Sequence, residues 1–135
     1  MPFNLRVVSL ERSLFEGEAD FMVARGVEGE LGVLPHHAAL MTALEPGPLR
    51  IQSGGQEELL FVGGGFLEVL PERVTVLADV AEHAEEISLE RAEAARRAAA
   101  ERLAGVTTEA EEVEMQQALA IAEARLRLAR AARRG

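Results

Sequence analysis

The stretch VTVLADVAEHAEEISLERAEAARRAAAERLAG, residues Val74–Gly105, contains the change of pattern on which the fold turns. Its first part, Val74–Leu77, is a short apolar run of the kind that forms a strand. From Ile87 the pattern is helical: Leu89, Ala92, Ala99 and Leu103 recur at three- and four-residue steps, with Arg96 near the same seam. Ser88 is placed to cap that helix, and Glu90 in the first turn complements its dipole. Gly105 is expected to end it as a left-handed cap. Strands come before this stretch and helices after it.

Upstream, Phe3, Leu5 and Val7 alternate with polar neighbours, and Phe21 and Val23 repeat the pattern up to Arg25-Gly26. GELGVLPHHAALMTAL, Gly29–Leu44, begins as a sharply turning loop stiffened at Pro35 and ends in an apolar strand from Ala39 to Leu44. Leu49 and Ile51 form another strand, and Ser53-Gly54-Gly55 is a hairpin turn signal. Leu59–Val62 and Phe66–Leu70 follow, with Gly63-Gly64-Gly65 and Pro71-Glu72 as breaks. Short strands at this spacing predict an antiparallel sandwich or barrel over residues 1–84. Downstream, Thr108 and Glu111 form a capping box for a second helix through Met115, Ala118, Ala122, Leu126 and Ala129. Residues 85–135 therefore read as a two-helix hairpin, and the class is α+β. Alanine favours both helices but buries little area, so the hairpin is expected to be a stable arm held lightly enough to move.

The 135 residues suffice for one domain with an appendage, and 48% hydrophobic residues suffice for a core. No apolar run approaches the roughly 20 residues needed to cross a bilayer, and no targeting segment is evident. A net charge of -9 argues against a nucleic-acid partner. That charge is uneven: residues 1–86 carry 15 acids against 5 arginines, whereas residues 87–135 carry 8 acids against 9 arginines. With no cysteine, thiolate catalysis and zinc-thiolate sites are excluded.

The chemistry-bearing residues do not converge on an enzyme. Gly63-Gly64-Gly65 lacks the lysine of a phosphate loop, because the chain has none. His36 and His37 are adjacent, so in extended chain they point to opposite faces and cannot chelate together. No metal site is expected; one imidazole should be exposed and the other packed. No serine sits in a nucleophile elbow, and Glu57-Glu58 and Glu85-Glu86 read as solvated pairs. The cluster Arg125, Arg127, Arg130, Arg133 and Arg134 suits an acidic partner, and equally suits the negative end of its own helix dipole.

With these residues in place, the sequence closely resembles the epsilon subunit of F-type (rotary) ATP synthase along essentially its whole length. The resemblance rests on GELGVLPHH (Gly29–His37), the Leu44–Gly47 turn, GGFLEV (Gly64–Val69), VTVLAD (Val74–Asp79) and EISLERA (Glu86–Ala92), in that order and spacing. It implies an N-terminal antiparallel β-sandwich of about ten strands followed by a C-terminal two-helix hairpin. It also implies a non-catalytic central-stalk subunit that couples gamma to the c-ring of a proton-translocating motor. Such a subunit sits peripherally at the cytoplasmic face of the bacterial plasma membrane, without inserting into lipid. By the same resemblance Glu30, Leu31, Gly32 and His37 face the c-ring, with His36 where the family usually has glycine. The hairpin, when extended toward the alpha/beta head, inhibits ATP hydrolysis, with Arg125, Arg127, Arg130, Arg133 and Arg134 meeting acidic loops of beta.

Some bacterial members bind ATP through an Ile/Leu-Asp-x-x-Arg-Ala motif. Here Glu82, Ile87, Arg91, Ala92 and Arg127 match that site. Ser88 replaces the motif's aspartate, Ala98 replaces a basic residue and Glu123 an arginine, so no cofactor is expected and ATP binding should be weak or absent. The alternative reading is a free-standing nucleotide-sensing module, distinguished from a rotor subunit by tight nucleotide binding without motor partners.

Overall fold

The fold follows from a computed structural model that describes residues 2–134. Two compact units emerge, one up to His83 and the other from Ala84. The first holds ten strands: β1 (Phe3–Ser9), β2 (Ser13–Ala19), β3 (Phe21–Gly26), β4 (Gly29–Val33), β5 (Leu40–Leu44), β6 (Gly47–Ser53), β7 (Gln56–Val62), β8 (Gly65–Leu70), β9 (Arg73–Ala78) and β10 (Ala81–His83). Their order is β10-β7-β6-β3-β5-β8-β9-β1-β2, with β4 added onto β3. Neighbouring strands run antiparallel except β1 and β9, which pair in parallel from Leu5 opposite Val74 to Ser9 opposite Ala78.

Period-two alternation decides which side chains meet inside. Phe3, Leu5 and Val7 of β1, Leu67 and Val69 of β8, and Val74 and Val76 of β9 are buried together with Met22, Leu49, Ile51 and Leu60. Burying such side chains is worth about 1.5–3 kcal/mol each before the entropy of ordering them is set against it. The Ser53-Gly54-Gly55-Gln56 turn closes β6 on β7 with positive φ at both glycines, 57° and 83°, the geometry that two-residue hairpins require. Gly63-Gly64-Gly65 is a tight connection: the Gly63 amide donates to the Val80 carbonyl and the Asp79 amide to the Gly64 carbonyl.

The sequence reading missed β2, β10 and, above all, β4. Gly29–Val33 is a strand rather than an open loop: Arg25 pairs with Glu30, Ala24 with Leu31 and Val23 with Gly32. The turn proper is the Val27-Glu28 pair between β3 and β4. The glycines concealed the strand, since they mask the alternation that Leu31 (packed on the core) and buried Val33 carry.

The second unit is a short 3-10 turn at Ala84–Glu86, α1 (Leu89–Ala104) and α2 (Glu109–Arg134). The Ser88 hydroxyl accepts from the Arg91 amide at 3.2 Å, and the Thr108 hydroxyl from the Glu111 amide at 3.2 Å, so both caps form. Gly105 departs from expectation. Its φ of -100° is not left-handed, and its amide closes a last tightened turn by donating to the Arg102 carbonyl, while the Val106 amide donates to the Leu103 carbonyl.

Candidate functional site

The expected ring-facing residues lie on β4 and the turn after it. Glu30 and Gly32 are exposed on one side of β4, whereas Leu31 points to the other side and packs against the core. Gly32 lets the Phe21 ring approach, since a Cβ there would lie 3.3 Å from it. Glu30 shares a cleft of about 510 Å³ with Arg25, Gly26, Val27, Gly29 and Glu45. Arg25 and Glu45 lie 3.8 Å apart and both are half exposed. With two carboxylates against one guanidinium, the cleft is suited to a basic side chain.

Pro35 and His36 occupy the centre of the following turn. His36 is exposed and has φ of 64°, a left-handed conformation that normally selects glycine. His37 is the packed imidazole, edge-on to Phe3 with ring centres 5.8 Å apart. Its Nδ1 is buried without a hydrogen-bond partner. The expected division of labour between the two histidines therefore holds, and among the described residues no cluster of three metal-ligating side chains forms.

A second surface was not singled out from the sequence. Ala43 of β5 lies opposite Phe66 of β8, Phe66 opposite Leu77 of β9, and Leu77 opposite Val8 of β1. These four side chains cross four strands in one outward row, with Phe66 and Leu77 each 54% exposed. Met41, two residues before Ala43, is 65% exposed on the same side of β5. An apolar row of this length on an acidic, charge-rich unit marks a surface awaiting a partner. The signal in the sequence was the loss of clean alternation in Phe66-Leu67 and Val76-Leu77, where both faces are apolar.

The hairpin gathers most of the remaining candidates. Ile87 and Ala92 are buried, and Arg91 is exposed. Arg96, Glu123, Leu126, Arg127, Arg130 and Ala131 line a cleft of about 330 Å³. Glu93 accepts from Arg96 Nη2 at 3.0 Å and from Arg130 Nη2 at 2.6 Å. The Arg96 hydrogen bond, assisted by the charges of Arg130 and Arg97, holds the Glu93 carboxyl below the usual carboxylate range against a smaller effect of burial. Glu82 belongs to the first unit, on β10 opposite Phe61 of β7. Arg133 donates to two backbone carbonyls; Arg125 lines an apolar trough of about 500 Å³ with Arg102, Met115, Ile121 and several alanines. For Arg134, the side chain lies outside the described residues.

The sequence and the fold are both similar to those of known proteins. Residues 2–84 match the family model of the ATP synthase delta/epsilon chain β-sandwich domain. The ATP synthase epsilon chain of Acidithiobacillus ferridurans is 53% identical over 111 residues, covering 82% of this chain and 79% of that one. That of Laribacter hongkongensis is 48% identical over 126 residues, covering 92% and 90%. Among solved structures, a chain of the Euglena gracilis mitochondrial ATP synthase (OSCP/F1/c-ring) superposes with a TM-score of 0.80 at 25% identity, over 99% of this chain and 82% of that one. A chain from the central stalk/c-ring structure of the Tetrahymena thermophila enzyme shares the fold, with a TM-score of 0.69 at 13% identity, over 96% and 97%. The family model spans the sandwich and the relatives at about half identity reach into the hairpin, so the chain belongs to the ATP synthase epsilon chains.

Proposed function

We propose that the chain is a non-catalytic rotor subunit of a proton-translocating ATP synthase that couples gamma to the c-ring, with a C-terminal arm that restrains ATP hydrolysis. The observation that carries the coupling role is the apolar row Val8–Leu77–Phe66–Ala43. A rotating shaft needs its subunits joined tightly enough to transmit torque, and a buried apolar core is how such a contact gains affinity. We assign this row to gamma. The polar cleft at Glu30 and the turn through His37 suit the smaller, wetter contact with the ring's loops. Among the described residues no helix is long and apolar enough to cross a membrane; as part of the same proposal, the subunit attaches peripherally at the cytoplasmic face of the bacterial plasma membrane.

The arm is proposed to meet acidic loops of beta through Arg125, Arg127, Arg130, Arg133 and Arg134. Nucleotide binding is proposed to be weak or absent: the hairpin cleft holds Glu123 beside Arg127, and Glu93 already takes up Arg96 and Arg130. Micromolar ATP affinity of the isolated chain by calorimetry would overturn that statement and favour a nucleotide sensor. The coupling role is tested by Phe66→Glu together with Leu77→Glu. Both side chains are half exposed, so the sandwich should fold, yet the chain should no longer co-purify with gamma. Retention of the double variant in the assembled rotor would refute the assignment.

A further inference from the structure

The basic end of α2 is engaged twice in closing the hairpin. Because the Ser88 hydroxyl takes the Arg91 amide, the Ile87 carbonyl loses the partner that an uninterrupted helix would give it. It accepts instead from Arg133 Nη2 at 2.6 Å, and Arg133 Nη1 donates to the Ala129 carbonyl at 3.1 Å. One planar guanidinium therefore joins the chain just before α1 to the last turns of α2, a bridge that the single ammonium of lysine does not reproduce. About one turn earlier in α2, Arg130 is held by Glu93, which Arg96 also grips. Toward the hairpin loop the two helices bury less. Among the described residues of α2 the buried ones lie between Ala122 and Ala129, and the wall toward the hairpin loop is the open trough lined by Ala95, Ala98, Met115 and Ala118.

We infer that Arg130 and Arg133 form a latch that keeps the hairpin closed, and that these two arginines are withheld from an acidic partner until it opens. The inference rests on the proposed inhibitory arm and gives it a control point: carboxylates of a partner compete with Glu93 and the Ile87 carbonyl for the same guanidinium groups. Opening and engagement are thus one exchange of partners.

Hydrogen exchange on the isolated full chain tests the latch. Glu93→Gln removes the charge but keeps the shape, and Arg133→Lys keeps the charge but loses the fork. Each should speed exchange of amides 87–93 and 126–133 roughly fivefold or more, while β1 and β9 stay unchanged. Unchanged protection in both variants would overturn the latch. In the assembled complex, Glu93→Gln should lower the ATP hydrolysis rate. Faster exchange with unaltered hydrolysis would uphold the latch and overturn the inhibitory arm.

Discussion

At the scale of single residues, the backbone explains positions that sequence chemistry leaves obscure. His36 has a φ of 64°, a conformation that glycine adopts without strain, and Pro35 followed by positive φ is the order of a type II turn. A Cβ in the left-handed region costs about 1–2 kcal/mol. His36→Gly should therefore raise stability by about 1 kcal/mol, part of the gain being offset by the freer unfolded chain. Urea denaturation of the isolated chain checks this, and His36→Val should move the midpoint the opposite way. Gly65 is stricter. At φ of 132° an added Cβ would press into the Leu77 carbonyl oxygen and lie 2.9 Å from the Ala78 Cα, both backbone atoms that cannot rotate aside. Gly65→Ala should cost about 3 kcal/mol or more, because it combines a strained φ with overpacking. A loss below about 1 kcal/mol on that same scale would mean that β8 and β9 separate more easily than their pairing indicates.

At the scale of elements, the helices were legible and the edge strands were not. Capping residues and three-to-four periodicity are local signals, so Ser88, Thr108 and the two helices could be read without knowing what lies nearby. The pairing of β4 with β3 is not local in this sense: Gly29 and Gly32 carry no side chain to alternate, and only the register Arg25–Glu30 reveals the strand. The apolar row across β5, β8, β9 and β1 was hidden for a related reason. Phe66 and Leu77 look like core residues until the register places them outward and opposite each other. The contact of Glu93 with Arg130 joins positions 37 residues apart, and no spacing rule anticipates it. It makes a pH prediction. Because the folded-state carboxyl lies below its ordinary value of 4.5, its contribution is fully present above that value and is lost as pH falls through the lowered one. The gap in thermal melting of the helical circular dichroism signal between the chain and Glu93→Gln should be constant at pH well above 4.5 and close as pH falls through the lowered value. A gap that does not narrow at all as the carboxylates are protonated would show that the carboxylate charge is not what Arg130 and Arg96 respond to.

At the scale of the whole molecule, charge and core are partitioned in the same way. The continuous apolar core of the sandwich draws on residues from Phe3 to Ala81. The surplus of acids also lies before Ile87, while the hairpin is nearly neutral overall and steeply graded along α2, from Glu109, Glu111, Glu112 and Glu114 to the arginines of its last turns. That gradient complements the helix dipole at both ends, so α2 gains stability from its own sequence as well as from packing. An element of this kind can change its surroundings while remaining a helix. The sandwich, by contrast, has no reason to change when the arm is gone. Deleting residues 87–135 should therefore leave a folded sandwich that still joins the rotor, since both surfaces assigned to coupling lie before Asp79. ATP-driven proton pumping by the assembled complex should survive, and its hydrolysis rate should rise severalfold once the arginine-ended arm no longer reaches beta. Pumping that fails while the truncated chain remains bound would place part of the coupling contact in the hairpin. An unchanged hydrolysis rate would remove the arm from regulation and leave the chain a coupling subunit alone.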